Sequence, residues 1–258
     1  MGKVIVCYKW VIDEKDIKIN PDLTVDVSRA QRKISEYDKN AIEAGVRAAA
    51  KLGCQPVGLT FGGPETRQSL KDALARGLEA AYWVNSGAAA QADGAVTARV
   101  LAAAVRAIGD YRLVICGEGA SDTYARQVGP RLGAVLDLPV VTSVISLDFE
   151  GDALLAIRKL EDYIEKVKVE LPAVVSVLPE INEAPVPSLK AVLAAGKKPT
   201  TEFTPEGLGL KGEDMAGRVA VVGTKGYVMN RKNVVIKDGD ATAKVQQLIT
   251  CLQKEGVI

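Results

Sequence analysis

The chain has 258 residues, 48% of them hydrophobic and 25% charged, enough apolar material to bury one or two substantial cores and far from the composition of a disordered segment. Its 33 lysines and arginines balance 32 aspartates and glutamates, so the basic excess of a nucleic-acid-binding protein is missing, and the lack of any histidine removes Ser-His-Asp triads, Cys-His pairs and most His-containing metal sites. Cys7, Cys54, Cys116 and Cys251 are too scattered for a Cys-x-x-Cys site or a disulfide framework, which predicts a reduced, cytoplasmic setting. The amino terminus enters a strand over 4–8 without signal-peptide architecture, and no apolar run approaches about 18 residues, so stable membrane insertion is not expected.

Further strands are predicted over 56–60, 81–84 and 113–116, with helices between them, the alternation that implies parallel strands joined by crossovers. Over 38–52, Lys39, Glu43, Arg47 and Lys51 recur at spacing four opposite Ala41, Ile42, Gly45, Ala48 and Leu52, an amphipathic helix. Residues 65–76, with Gly77 as C-cap, and 92–108 repeat the design. Residues 10–37 interrupt it, and 17–20 and 24–27 read as an inserted hairpin around Asn20-Pro21-Asp22. After residue 139 strands follow without helices, over 141–147, 154–160, 165–170 and 173–178, so antiparallel additions to the parallel sheet are expected. A proline-bearing loop (179–187), a short apolar helix (189–195), a Gly-, Lys- and Pro-rich stretch (196–226) and a helix over 240–255 complete the chain. The last helix presents Ala243, Val245, Leu248, Ile249 and Leu252, which must pack either on its own domain or on another subunit.

The segment Cys116-Gly117-Glu118-Gly119-Ala120-Ser121-Asp122-Thr123-Tyr124-Ala125-Arg126-Gln127-Val128-Gly129-Pro130 follows a strand and leads into a helix. Its backbone N–H groups then lie at the carboxyl edge of the sheet, where a helix dipole favours anions. Gly117 and Gly119 permit close approach, Ser121 or Asp122 is suited to cap a helix begun at Thr123, and Pro130 demands a kink or a later start. The segment reads either as a phosphate cradle or as an ordinary strand-to-helix turn. It is neither a P-loop nor Gly-x-Gly-x-x-Gly. The loops Tyr8-Lys9-Trp10 and Phe61-Gly62-Gly63-Pro64 converge on the same crevice in a doubly wound sheet. Lys9, Lys39 and Arg126 either offset phosphate charge or are simply solvated. Leu189 either opens a buried helix or is presented to a partner by the stiff loop before it.

Together these segments resemble the β subunit of electron transfer flavoproteins, of the FixA type associated with carnitine metabolism. The resemblance rests on residues 4–14, 33–44, 121–130, 171–175 and 187–191 and runs nearly end to end. It implies an α/β fold, a parallel-sheet sandwich of the adenine nucleotide alpha hydrolase-like type with antiparallel additions and a long C-terminal arm. It further implies a nucleotide-binding domain over 1–195 and an arm and helix over 196–258 that contact an α subunit, which holds the redox-active FAD. By the resemblance this chain binds AMP, or in bifurcating relatives a second FAD in the same crevice, and docks an acyl-CoA dehydrogenase or related flavoenzyme; it is not a catalyst on its own. Position by position, the nucleotide contacts implied are Cys7, Lys9, Ser35, Glu36, Tyr37, Asp38, Gly62, Asp122, Thr123, Tyr124, Ala125, Arg126, Gln127, Val128, Gly129, Pro130, Arg131, Leu132 and Gly133. Leu189 corresponds to the docking anchor and Glu165 to an inter-subunit carboxylate. Bifurcating relatives have small or amide residues where Tyr124 and Arg126 stand, which favours AMP. Two alternatives of other classes are a stand-alone ATP-using enzyme, whose Ser-Gly-Gly-x-Asp-Ser loop is not found at Tyr8-Lys9-Trp10, and a nucleotide-sensing module akin to universal stress proteins, which leaves the arm and the Leu189 loop unexplained.

Overall fold

The computed structural model describes residues 1–228 and 231–258. The chain opens with β1 (Lys3–Cys7) and detours through β2 (Trp10–Ile12), β3 (Lys18–Ile19), β4 (Val25–Asp26) and β5 (Arg32–Ile34) before α1 (Glu36–Leu52). Strand and helix then alternate through β6 (Gln55–Gly62), α2 (Arg67–Ala75), β7 (Ala80–Asn85), α3 (Gly94–Ile108), β8 (Tyr111–Gly117) and α4 (Val128–Leu136). β9 (Val140–Glu150), β10 (Ala153–Lys159), β11 (Ile164–Glu170) and β12 (Ala173–Val177) follow with no helix between them, and α5 (Leu189–Ala195), β13 (Thr200–Phe203) and α6 (Ala241–Lys254) end the chain.

Among the described residues nine strands form one sheet in the order β11-β10-β9-β12-β8-β1-β6-β7-β13. Neighbours from β9 to β13 run parallel, and β10 and β11 add antiparallel at one edge. Period-two alternation divides the strands between two cores. Val4 and Val6 of β1 and Leu113 and Ile115 of β8 pack with residues of α1, α2 and α5, whereas Ile5, Cys7, Val114 and Cys116 pack with α3 and α4. With both faces covered, every residue of β12 is buried. Two helices approach closer than any side chain would allow: a Cβ added to Gly45 of α1 would lie 2.2 Å from Val6 Cγ2, and one added to Gly133 of α4 would lie 2.0 Å from Val140 Cγ2.

The insertion is a nested pair of ribbons, β2 with β5 and β3 with β4, of which only the outer tip was legible as a hairpin. It is tied to the start of α1 through Lys33, whose ammonium group meets Asp13 (3.2 Å), Glu14 (2.9 Å) and Glu36 (3.0 Å).

Two expectations change. The helix expected from Thr123 starts at Val128, which places Pro130 at its third residue, where an N–H has no intrahelical partner to lose. Neither Ser121 nor Asp122 caps it, and Tyr124 (φ 45°) and Arg126 (φ 56°) take left-handed conformations incompatible with a helix. The stretch over 196–226, read from sequence only as Gly-, Lys- and Pro-rich with no strand, contributes β13, which pairs with β7 and stacks Phe203 on Tyr82 at 5.8 Å. Lys198 fastens this edge by donating to the carbonyls of Leu74 (3.0 Å) and Leu78 (2.6 Å).

Beyond residue 215 the described chain runs without helix or named strand until α6. It is pinned where the Arg218 N–H donates to Asp93 (2.8 Å) and where Thr24 bridges Lys225 in antiparallel fashion. Val219, Val221, Val222 and Tyr227 are exposed, and α6 buries no residue, with Val245 and Leu248 about half exposed. The apolar face of α6 is therefore only partly covered among the described residues, with Ala243, Ile249 and Leu252 half-buried and Val245 and Leu248 open.

Candidate functional site

The carboxyl ends of β1, β6 and β8 lie side by side in the sheet, and the chain leaving β7 returns to the same edge to start α3. A cavity opens there. Cys7, Tyr8 and Lys9 line it from β1, Phe61 from β6, Ala89, Ala92, Gly94, Thr97 and Leu101 from the approach to α3 and its first turns, and Cys116 to Ala120 together with Thr123 and residues 125–128 from the loop after β8.

Asp38, in the first turn of α1, holds the floor together. Its carboxyl is buried and accepts the Lys9 N–H at 2.8 Å and also the Gly117 N–H, so one side chain joins the ends of β1 and β8. Burial pushes it up to about 7, against the opposing effect of those hydrogen bonds and of the Lys9 charge. Gly117 must be glycine here, since a Cβ would fall 2.5 Å from Asp38 Oδ1. A Cβ at Gly119 would meet the Tyr124 ring (2.8 Å), so this position too requires a bare backbone, whereas at Gly94 the nearest atom is the end of the exposed Gln127 side chain (2.7 Å), which can turn away. Cys7 and Cys116 are register partners on the floor, and their mutual hydrogen bond, with burial, raises the Cys7 thiol well above its ordinary value.

Both cations on the wall are engaged. Lys9 Nζ lies 2.6 Å from Asp122, and Arg126 lies 3.5 Å from the buried carboxylate of Glu118 and over the Tyr124 ring at 5.8 Å. Tyr124 packs on Tyr37 with centroids 5.1 Å apart, and its hydrogen bond to Glu118 raises the phenol to about 12. Ser35, at the N-cap position of α1 but making no side-chain cap, accepts the Ser121 N–H at 3.2 Å and braces the loop from behind. Ser121 Oγ itself is buried without a partner among the described residues.

Of the expected contacts, the cavity wall brings together Cys7, Lys9, Asp38, Thr123, Ala125, Arg126, Gln127 and Val128. Asp122, Tyr124, Tyr37 and Ser35 form a supporting layer that fixes these groups. Glu36 belongs to the Lys33 and Lys39 ion pairs. Gly62 is buried beside the wall, its carbonyl accepting from the Trp83 indole at 3.1 Å. Gly129, Leu132 and Gly133 face the sheet, where Gly129 lets α4 close on Ser176, and Pro130 and Arg131 face solvent. The contribution of the β7–α3 connection, Ala89, Ala92, Gly94, Thr97 and Leu101, was missed. Its signal was Asp93-Gly94 ahead of an apolar periodic stretch, a helix start on the same sheet edge, and Asp93 does cap α3 by accepting from Ala95 and Val96 (both 2.9 Å).

Away from the cavity, Asn40 of α1 and Asn182 clamp the proline-bearing loop through reciprocal amide-to-carbonyl hydrogen bonds of 2.6 and 3.0 Å. The loop then presents Val186 (91% exposed) and Leu189 (75%), continued by Leu193 (65%) on α5, while Ala195 anchors the helix from beneath. Leu189 thus does not open a buried helix. Glu165 lies on the edge strand β11 and pairs with Arg158 at 3.5 Å. No helix among the described residues is long and apolar enough to cross a membrane.

Residues 22–208, well over half of the chain and spanning α1 to α5, match the family described as the electron transfer flavoprotein domain. With the mostly parallel sheet and its carboxyl-edge cavity in place, the match identifies the chain as a member of the electron transfer flavoprotein family.

Proposed function

We propose that the chain is the β subunit of a heterodimeric electron transfer flavoprotein of the FixA type, holding AMP in the cavity, supporting an FAD-bearing α subunit and docking acyl-CoA dehydrogenase-type partners. The observation that carries this reading is the arm. A chain that spends some forty residues (216–258) on an extension with exposed valines and a helix with no fully buried residue is built to be completed by another polypeptide.

The cavity suits AMP. Phe61, Leu101 and Val128 supply apolar surface for a flat ring, and Lys9 and Arg126 stand at the rim for a phosphate. Tyr124 and Arg126, fixed by Tyr37 and Glu118, fill the side that adjoins a second groove lined by Tyr37, Glu118, Lys159 and Pro179, which supports AMP over a second FAD. AMP is then structural, its phosphate meeting backbone N–H groups of the exposed 122–127 loop.

The FAD of the α subunit supplies the redox chemistry when bound. This chain contributes position: the Asn40–Asn182 clamp fixes the loop, and Val186, Leu189 and Leu193 form the apolar surface that a dehydrogenase covers. The test is to co-express the chain with an α subunit, purify the complex and quantify flavin and AMP per heterodimer after denaturation. One FAD and one AMP are expected. Two FAD and no AMP would make the cavity a second flavin site, and failure to form a complex or release of no nucleotide would overturn the reading.

A further inference from the structure

Among the described residues the cavity wall carries two cationic side chains, Lys9 and Arg126, and neither is free. Lys9 is held by Asp122 of the supporting layer at 2.6 Å and Arg126 by Glu118 at 3.5 Å, with Asp38 the second carboxyl on the wall beside Glu118. The two pairs differ. Asp122 and Lys9 are both substantially solvated, whereas the Glu118 side chain is only 7% exposed and forms the partition between the cavity and the groove beside Lys159. A buried carboxylate at a site for an anion is costly to keep, because it repels the ligand and must be compensated by its own partners. Glu118 is compensated: Arg126 offers a charged donor, and the Tyr124 hydroxyl bonds to it as well. Both partners reach it from left-handed backbone conformations, φ 45° at Tyr124 and φ 56° at Arg126, so the loop takes an unfavourable path to bring them there.

We propose that Glu118 is a charge filter, a specificity-determining residue that restricts the cavity to ligands carrying a single phosphate group and rejects nucleoside di- and triphosphates. The proposal rests on the adenine-nucleotide reading of the cavity and adds to it the reason for selecting AMP over the far more abundant polyphosphates. One phosphate group finds Lys9, Arg126 and the loop N–H groups at the rim. Each added phosphate charge lies near the negative charge of Glu118 and finds, among the described residues of the wall, only the two cations already paired with Asp122 and Glu118. At contact distances of about 5 Å and the reduced dielectric of a protein cleft, that repulsion disfavours binding at least about tenfold per charge.

The experiment measures adenosine, AMP, ADP and ATP affinities of the full chain by calorimetry in magnesium-free, low-salt buffer, for the native sequence, Glu118→Gln and Asp122→Asn. Gln preserves the shape and the oxygen that faces Arg126 while removing the charge. The native chain is expected to prefer AMP to ATP by at least about a hundredfold, tenfold for each of the two added charges, and Glu118→Gln to bring the two within about threefold, chiefly by tightening ATP. Asp122→Asn is expected to shift the ratio the same way but less, because its pair is more solvated, and salt is expected to narrow the native ratio. AMP binding with an AMP-to-ATP ratio unchanged in Glu118→Gln overturns the filter and leaves the nucleotide reading intact. If Glu118→Gln does not fold, the ratio in Asp122→Asn decides. Binding of none of the four ligands by any variant overturns the nucleotide reading, and the filter with it.

Discussion

Asp38 is an acid in the wrong environment, and its replacement by Asn has a pH signature that can be worked from the structure. The carboxyl is buried, and its ordinary value of 3.8 is raised to about 7. In the folded chain it therefore keeps its proton up to about pH 7, while in the unfolded chain it releases it near 3.8. Between these values the native state binds more protons than the unfolded state, so stability falls as pH rises through the window and levels off above it. A rise of about three pK units corresponds to about 4 kcal/mol as an upper bound, which local relaxation and water entry reduce. Asn removes the titration but loses one acceptor, since its NH₂ must face the N–H of either Lys9 or Gly117, at a cost of about 1–3 kcal/mol. Urea unfolding of both proteins from pH 4 to 8 should show Asp38→Asn clearly less stable at the acid end. The stability advantage of the native chain should then shrink toward pH 7 and be lost above it, because the native carboxylate is then buried with its charge. A difference that stays constant across the range, or grows with pH, would show that Asp38 is ionised throughout and held by Lys9, refuting the reasoning.

Gly133→Ala forces a methyl group into Val140 and should destabilise by about 1–3 kcal/mol in chemical denaturation, with Val140→Ala in the same chain restoring part of the loss; native-like stability of the single variant would sink the close-packing account. Asp93→Ala removes the cap of α3 and the anchor of the arm together, so about 1 kcal/mol of stability should be lost and trypsin should cut faster at Arg218 and Lys225, an unchanged digestion rate counting against the anchor. Val186→Ala with Leu189→Ala should leave the melting temperature essentially unchanged, since both side chains are exposed, while slowing electron transfer from a dehydrogenase to the assembled heterodimer; equal rates would remove the loop from docking.

Much of this architecture is legible in local pattern. Lys39, Glu43, Arg47 and Lys51 at spacing four place one face of α1 in water, and the apolar runs at β1, β6, β8 and β12 can only be strands covered on both sides, so the alternation of the two leads to a parallel sheet. The carboxyl-edge position of the 116–130 segment follows from the same reasoning. Local pattern falls short where a residue acts through something distant in sequence. Gly129 and Gly133 look like parts of a phosphate loop, and only the packing of α4 shows that they face Ser176 and Val140. β13 is four mostly exposed residues whose strand character comes from pairing with β7, so no periodicity marks it. Glu118 and Arg126 read as separate charges eight residues apart until two left-handed residues fold the loop back and make them a pair. The sequence by itself thus determined which faces are apolar and where each chain direction reverses, because those depend on neighbours a few positions away. Only the tertiary structure decided which carboxylate meets which cation and which glycine meets a helix rather than a ligand, because those contacts are set by the stacking of elements that composition does not order.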